Sequence, residues 1–242
     1  MAERAWQDEL QQFLDARFLA LCSMLNQAIP GASLRIGPPL ALNEAKYFIL
    51  GLEAGLFGID AEGYVESSLV PQLNIGNAKP EMCRIFLHDP PPPRLAREAI
   101  CRFSTAAALI LDRGWLERQI QIKATIEAES APAYGVDLVV KSLAGKLLAG
   151  VEVKRSAHEL AKLKNDFYQC CKRGKHPEDN CGFPRNHGKF EFCAFHKPTY
   201  FWAVAPDGEI CFKMNYREDG TIRPDEIASL PPRSIVELGT KS

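Results

Sequence analysis

The sequence lacks any long apolar run: no stretch of its 242 residues reaches the length needed to span a bilayer. It also lacks the basic start and apolar middle of an export signal, since MAERAWQDELQQFL is acidic and amphipathic. These two absences set the expectation of a cytoplasmic protein with no membrane partner. Without export, the eight cysteines are expected as reduced thiols or metal ligands rather than a disulfide framework. Excess positive charge is missing too. The 29 Lys and Arg stand against 30 Asp and Glu, for a net charge of −1, which argues against strong autonomous nucleic-acid binding. There is no internal repeat, no low-complexity tract beyond the prolines at 90–93, no motor or sequence-reading module, and no chemical motif in residues 1–85.

What is present is an α/β pattern. Trp6, Leu10, Phe13, Leu14, Phe18 and Leu21 recur at helical spacing, and a second helix is expected from Asn43 as its cap. Residues 1–85 therefore read as an α-rich extension, regulatory or partner-binding. Residues 86–242 read as a separate α/β domain. Within it, residues 95–112 form an apolar helical face, and QIQIKATIE at 119–127 alternates as a strand does. A hairpin follows over 134–156, YGVDLVVKSLAGKLLAGVEVKRS. Ser156 and Glu159 then have the form of a capping box that starts a helix running to about Cys171. Residues 172–189 are expected as loop, YFWAVA at 200–205 and residues 209–214 as a second hairpin, and 224–230 as a short helix.

The hairpin at 134–156 carries the chemistry. Asp137, Glu152 and Lys154 sit in or beside its apolar strands. Glu152 and Lys154 are two residues apart and so share a strand face. Buried carboxylates brought together are costly unless something compensates them, and Mg²⁺ favours one or two carboxylates with waters and phosphate oxygens. Basic residues cluster at and just after this point, at Lys154, Arg155, Lys162, Lys164, Lys172, Arg173 and Lys175. They could contact phosphates or form a solvated helix face.

Asp137, fourteen residues, then Glu152-Val153-Lys154 resembles the PD-(D/E)xK nuclease motif. A bare spacing of this kind recurs by chance. The resemblance is carried by apolar strands around both parts and by a helix on either side. It is closest to the nuclease domain at the N-terminus of type I restriction enzyme motor subunits and its stand-alone relatives. It spans residues 94–169, roughly a third of the chain, through RLAREAI, GVDLVV and GVEVKRS. Val136 stands where the family name has proline.

The resemblance implies a restriction-endonuclease-like core, a mixed central sheet flanked by helices. It implies a nuclease that hydrolyses phosphodiester bonds in DNA, set in bacterial restriction or anti-phage defence and controlled by a protein partner, a second copy or a ligand. Asp137, Glu152 and the Val153 carbonyl would hold Mg²⁺ or Mn²⁺, and Lys154 would act electrostatically. Glu98 and Gln169 match, by position, a glutamate on the first core helix and a polar residue on the helix after the motif.

A second cluster lies at 170–196, where Cys170, Cys171, His176, Cys181, His187, Cys193 and His196 fall within 27 residues. Cys171, Cys181 and Cys193 with His187 or His176 could form a tetrahedral structural zinc site, although no C-x-x-C pair is present. An iron–sulfur cluster, or reduced cysteines with surface histidines, are the other readings. Two wider alternatives to an enzyme are a non-catalytic interaction subunit on a nuclease-like scaffold and a zinc-binding nucleic-acid adaptor.

Overall fold

A computed structural model describes residues 4–26, 34, 36–70, 83–87, 93–122 and 135–238. The chain runs α1 (Trp6–Met24), α2 (Leu42–Glu53), β1 (Gly58–Ile59), β2 (Val65–Glu66), β3 (Phe86–Leu87), β4 (Arg94–Leu95), α3 (Arg97–Leu111) and β5 (Ile120–Ile122). It continues through β6 (Leu138–Lys141), β7 (Leu147–Val153), α4 (Ala157–Arg173), α5 (Pro184–His196), β8 (Tyr200–Ala205), β9 (Gly208–Tyr216), β10 (Ile222–Ile227) and α6 (Arg233–Leu238). Among the described residues, no helix is long and apolar enough to cross a membrane.

A six-stranded sheet in the order β10-β9-β8-β7-β6-β5 forms the centre. Its one parallel pair is β7 with β8, and the other neighbours are antiparallel. Antiparallel neighbours can be joined by short turns, whereas a parallel pair needs a crossover, here α4 and α5. The β6–β7 turn closes where Gly145 takes φ +81°, a left-handed conformation that glycine adopts without steric cost.

Alternation along the strands sorts the core into two layers. Leu138, Val140, Val151, Val153 and Trp202 pack with α1, α2 and α3. Val139, Phe201, Ala203, Ala205 and Phe212 pack with α4 and α5. Within YFWAVA, Phe201 stacks on Phe167 of α4 at 4.5 Å while Trp202 points the other way and donates Nε1–H to Glu209 at 2.6 Å. The aromatic run is therefore core, with period-two alternation placing its members on opposite faces.

The N-terminal helices are built into the same core as the sheet. Leu10, Leu14, Phe18 and Phe48 belong to one cluster with Ile100, Phe103 and Leu138. A buried ion pair from Arg97 of α3 to Glu44 of α2 ties the two segments together.

Several expectations need correction. Asn43 does not cap α2; Ala41 is the N-cap, and the Glu44 carboxylate reaches back to its amide at 3.3 Å. The expected strand at 119–127 is described only to Ile122, and the rest lies outside the described residues. Residues 184–196, in part expected as loop, form α5, with Pro184 at its first turn and Phe190, Phe192 and Cys193 on its buried side. Proline suits that position because its missing N–H has no intrahelical partner there anyway. Residues 224–230 were expected as a helix, yet Pro224 lies in strand β10, at the sheet edge where proline costs no ladder bond.

Candidate functional site

Asp137 lies immediately before β6 rather than inside it. Its backbone amide donates to the Val151 carbonyl at 2.9 Å, and its Oδ2 accepts from the Val153 amide at 2.8 Å. These two bonds bracket Glu152, so the hairpin itself brings the two carboxylates together. Lys154 completes the group: its Nζ donates to Glu152 Oε1 at 2.6 Å. At Val153 the structure shows the amide donating into the site.

Two further cations reach in from opposite layers. Arg102 on α3 grips Asp137 Oδ1 with Nε at 3.0 Å and Nη2 at 2.6 Å. Lys189 on α5 places its Nζ 3.3 Å from Glu152 Oε1. Neither was singled out by sequence reasoning. Arg102 lies one turn beyond Glu98 on the same helix face, which is the signal that could have found it. Lys189 had none, because its helix was not foreseen.

The electrostatics are strained at Glu152, which is only 4% exposed. Burial, then the Asp137 charge, raises its carboxyl to about 7, against the opposing pull of Lys189 and Lys154. For Lys154, burial works to lower the pKa, but Glu152, Asp137 and Glu98 outweigh it, so the net shift is upward and the ammonium stays charged.

Of the positional matches, Glu98 lies at the rim, about half exposed, with Arg155 Nε 3.5 Å from its Oε1. Gln169 does not join the carboxylates. It is exposed and lines a hollow of about 370 Å³ beside Cys170, His176 and Cys181. The inward side of α4 is mainly apolar, with Leu160, Leu163 and Phe167, and Gln169 turns outward. Of the basic run, Arg155 pairs with Glu159 at 2.7 Å and Lys164 with Glu226 at 2.6 Å, which are ordinary exposed pairs.

The second cluster is real but differently composed. Cys170, His176, Cys181 and His187 offer ligand atoms that all lie within 4.8 Å of one another, and these four could hold a metal such as zinc. Cys171 and Cys193 do not belong to the group. Both are fully buried in the apolar layer between α4, α5 and the sheet, where burial pushes their thiols well up. Against the set expected from sequence, Cys171 and Cys193 drop out, Cys170 enters, and His187 and His176 both take part instead of one or the other. On α4, consecutive residues point about 100° apart, so only one of the adjacent cysteines can face the following loop.

The two clusters are joined by close backbone packing. A Cβ placed on Gly135 would lie 2.2 Å from the Gly188 carbonyl oxygen of α5. The obstacle is backbone and cannot rotate away. Gly135→Ala is therefore expected to push α5 off the sheet edge and cost about 1–3 kcal/mol, measured by urea unfolding; an unchanged midpoint would contradict this packing.

No protein-family model matches the chain, and no curated protein matches it significantly.

Proposed function

We propose that the protein is a metal-dependent nuclease with a restriction-endonuclease-like core, hydrolysing phosphodiester bonds in DNA. The single observation that carries the reading is the convergence of Asp137, Glu152 and Lys154 at one end of the sheet, with Glu152 buried and raised to about 7. Perturbed carboxylates of this kind concentrate at functional sites. The order of elements supports it: helix α3, three antiparallel strands, crossover helices, then β8 parallel to β7.

Asp137 and Glu152 would hold Mg²⁺ or Mn²⁺, with the Val153 carbonyl as a further oxygen. The donor set suits a hard cation, and a divalent charge would relieve the mutual repulsion of the carboxylates. When bound, the cation supplies a water of lowered pKa and charge for the phosphate oxygens. Lys154, held protonated by its acidic neighbours, would stabilise negative charge developing on the scissile phosphate. Arg102 orients Asp137 through two bonds to Oδ1. Lys189 and Lys154 surround Glu152, so the site attracts an anionic backbone even though the whole chain is near neutral. Bacterial restriction or anti-phage defence, under control of a protein partner or ligand, is the setting we propose with it.

One observation favours a second reading, a non-catalytic interaction subunit on the same scaffold. Arg102 pairs with Asp137, and Lys154 and Lys189 pair with Glu152, so both carboxylates have cationic partners without a metal. Thermal melting against Mn²⁺ separates the two. A nuclease should melt at higher temperature as Mn²⁺ is added, with the rise lost in Glu152→Ala, because a ligand that binds only the folded state stabilises it. It should also nick supercoiled plasmid in Mg²⁺, with Lys154→Ala slower by about 100-fold or more. A melting temperature indifferent to Mn²⁺ favours the interaction subunit.

A further inference from the structure

We propose that Cys170, His176, Cys181 and His187 bind one zinc ion, and that this ion anchors the start of α5 so that Lys189 is held against Glu152. The assignment of zinc stands independently of the proposed hydrolysis. Only the use of Lys189 in catalysis rests on that reading.

The first support is the state of the ligand atoms. Cys170 Sγ and Cys181 Sγ are 3.5 Å apart, near the ~3.8 Å edge expected when two thiolates sit tetrahedrally on one zinc at about 2.3 Å. His176 Nδ1 is 2.6 Å from the Gly174 carbonyl. That bond fixes the proton on Nδ1 and leaves Nε2 as a lone pair, the second-sphere arrangement typical of a metal-bound imidazole. His176 Nε2 is buried with no hydrogen-bond partner, and so is Nδ1 of His187, a residue with no exposed surface, while His187 Nε2 makes no hydrogen bond and lies 3.4 Å from Glu191 Oε1. Buried polar atoms without partners are costly, and a cation at the centre of the four side chains satisfies His176 Nε2 and one ring nitrogen of His187. Two thiols and two imidazoles in a closed tetrahedral set select zinc over Mg²⁺ or Ca²⁺, which take oxygen ligands.

The second support is what the neighbours of His187 do. Four consecutive residues at the start of α5 each make a different tertiary contact. Asn186 donates to Asp166 of α4 at 2.7 Å, in a buried bond. His187 joins the cluster. Gly188 packs against Gly135, two residues before Asp137. Lys189 reaches Glu152. The segment 172–183 that precedes α5 is poor in apolar side chains, and its residues 178–180 are exposed. Hydrophobic burial alone therefore does little to fix where α5 begins. A metal bridging Cys170 on α4 to His187 on α5 supplies that constraint, in the way structural zinc sites contribute folding free energy directly. Lys189 is then a positioning residue whose place depends on a site on the far side of its own helix.

The test uses the full chain. Inductively coupled plasma mass spectrometry on purified protein should find one zinc per chain. Cys170→Ser and Cys181→Ser should lose it, while Cys171→Ala and Cys193→Ala should keep it. Iron in place of zinc, no metal, or loss of zinc from the second pair of variants overturns the assignment. The anchoring is read by brief acetylation with acetic anhydride and peptide mass spectrometry, on zinc-loaded protein and on Cys181→Ser. Lys189 acetylation should rise several-fold without zinc. Lys141, bonded to Gln121 at the end of β6 away from Asp137, should not change. An unchanged Lys189, or an equal rise at Lys141 and Lys189, overturns the anchoring. Neither measurement involves cleavage, so the proposed hydrolysis can fail while this stands, and the reverse.

Discussion

Glu152→Gln is expected to make the protein more stable at pH 8 and to change it little at pH 5, while removing cation binding and cleavage at every pH. The sign follows from the direction of the shift. Burial first, and Asp137 second, raise the Glu152 carboxyl from its ordinary 4.5 to about 7. As pH rises from 4.5, the unfolded chain gives up this proton before the folded one does. The unfolded state gains stability across that window, and the folded protein bears the whole cost once pH exceeds about 7. That cost is about 3 kcal/mol at pH 8 and under about 1 kcal/mol at pH 5. Gln has the shape of the protonated acid and never carries the charge. The pull of Lys154 and Lys189 on the carboxylate is already included, since both oppose the rise without cancelling it.

Urea unfolding of both proteins at the two pH values measures the difference, and Mn²⁺ titration of each measures the cation. A substitution that stabilises the fold and abolishes activity is what a site strained for function should show. A less stable Gln variant at pH 8 would mean that Glu152 is an ordinary stabilising ion pair, and the proposed hydrolysis would lose its main support.

The second large effect is structural. Arg97→Ala should cost about 3–5 kcal/mol, the range for removing one partner of a buried ion pair. Glu44 is almost wholly enclosed, and Arg97 meets it with two bonds of 2.5 Å, Nε to Oε1 and Nη2 to Oε2. The same guanidinium donates to the Pro38 carbonyl at 2.7 Å and the Pro39 carbonyl at 3.0 Å. Burial already pushes the Glu44 carboxyl up, with Arg97 opposing that rise. Without Arg97, the buried Glu44 carboxylate keeps only the Ala41 amide, and the Pro38 and Pro39 carbonyls lose this donor. Arg97→Lys should recover only part of the loss, because an ammonium cannot reproduce a planar, forked set of donors. Pairing Arg97→Met with Glu44→Gln should cost less than Arg97→Ala, since no bare charge remains. A loss below about 1 kcal/mol for Arg97→Ala would show that α2 is not fastened to α3 through this pair.

The sequence by itself determined those features whose causes lie within a few residues. The apolar stripe of α3 sets its helical period, and Ser156 caps α4 by accepting from the Glu159 amide at 3.4 Å. The short turn with left-handed Gly145 closes the hairpin that carries Asp137, Glu152 and Lys154. Their proximity was legible because a tight hairpin converts sequence spacing into cross-strand position.

Tertiary structure alone decided the rest. Arg102 and Lys189 meet the carboxylates from helices on opposite faces of the sheet, a placement that follows from how two layers pack and not from any local spacing. The choice of Cys170 over Cys171 turns on the rotation of α4 against the sheet: both thiols are buried, but only that of Cys170 is turned to meet Cys181. Strand β10 forms because β9 offers an open edge, and edge pairing overrides the local preference of a short polar segment.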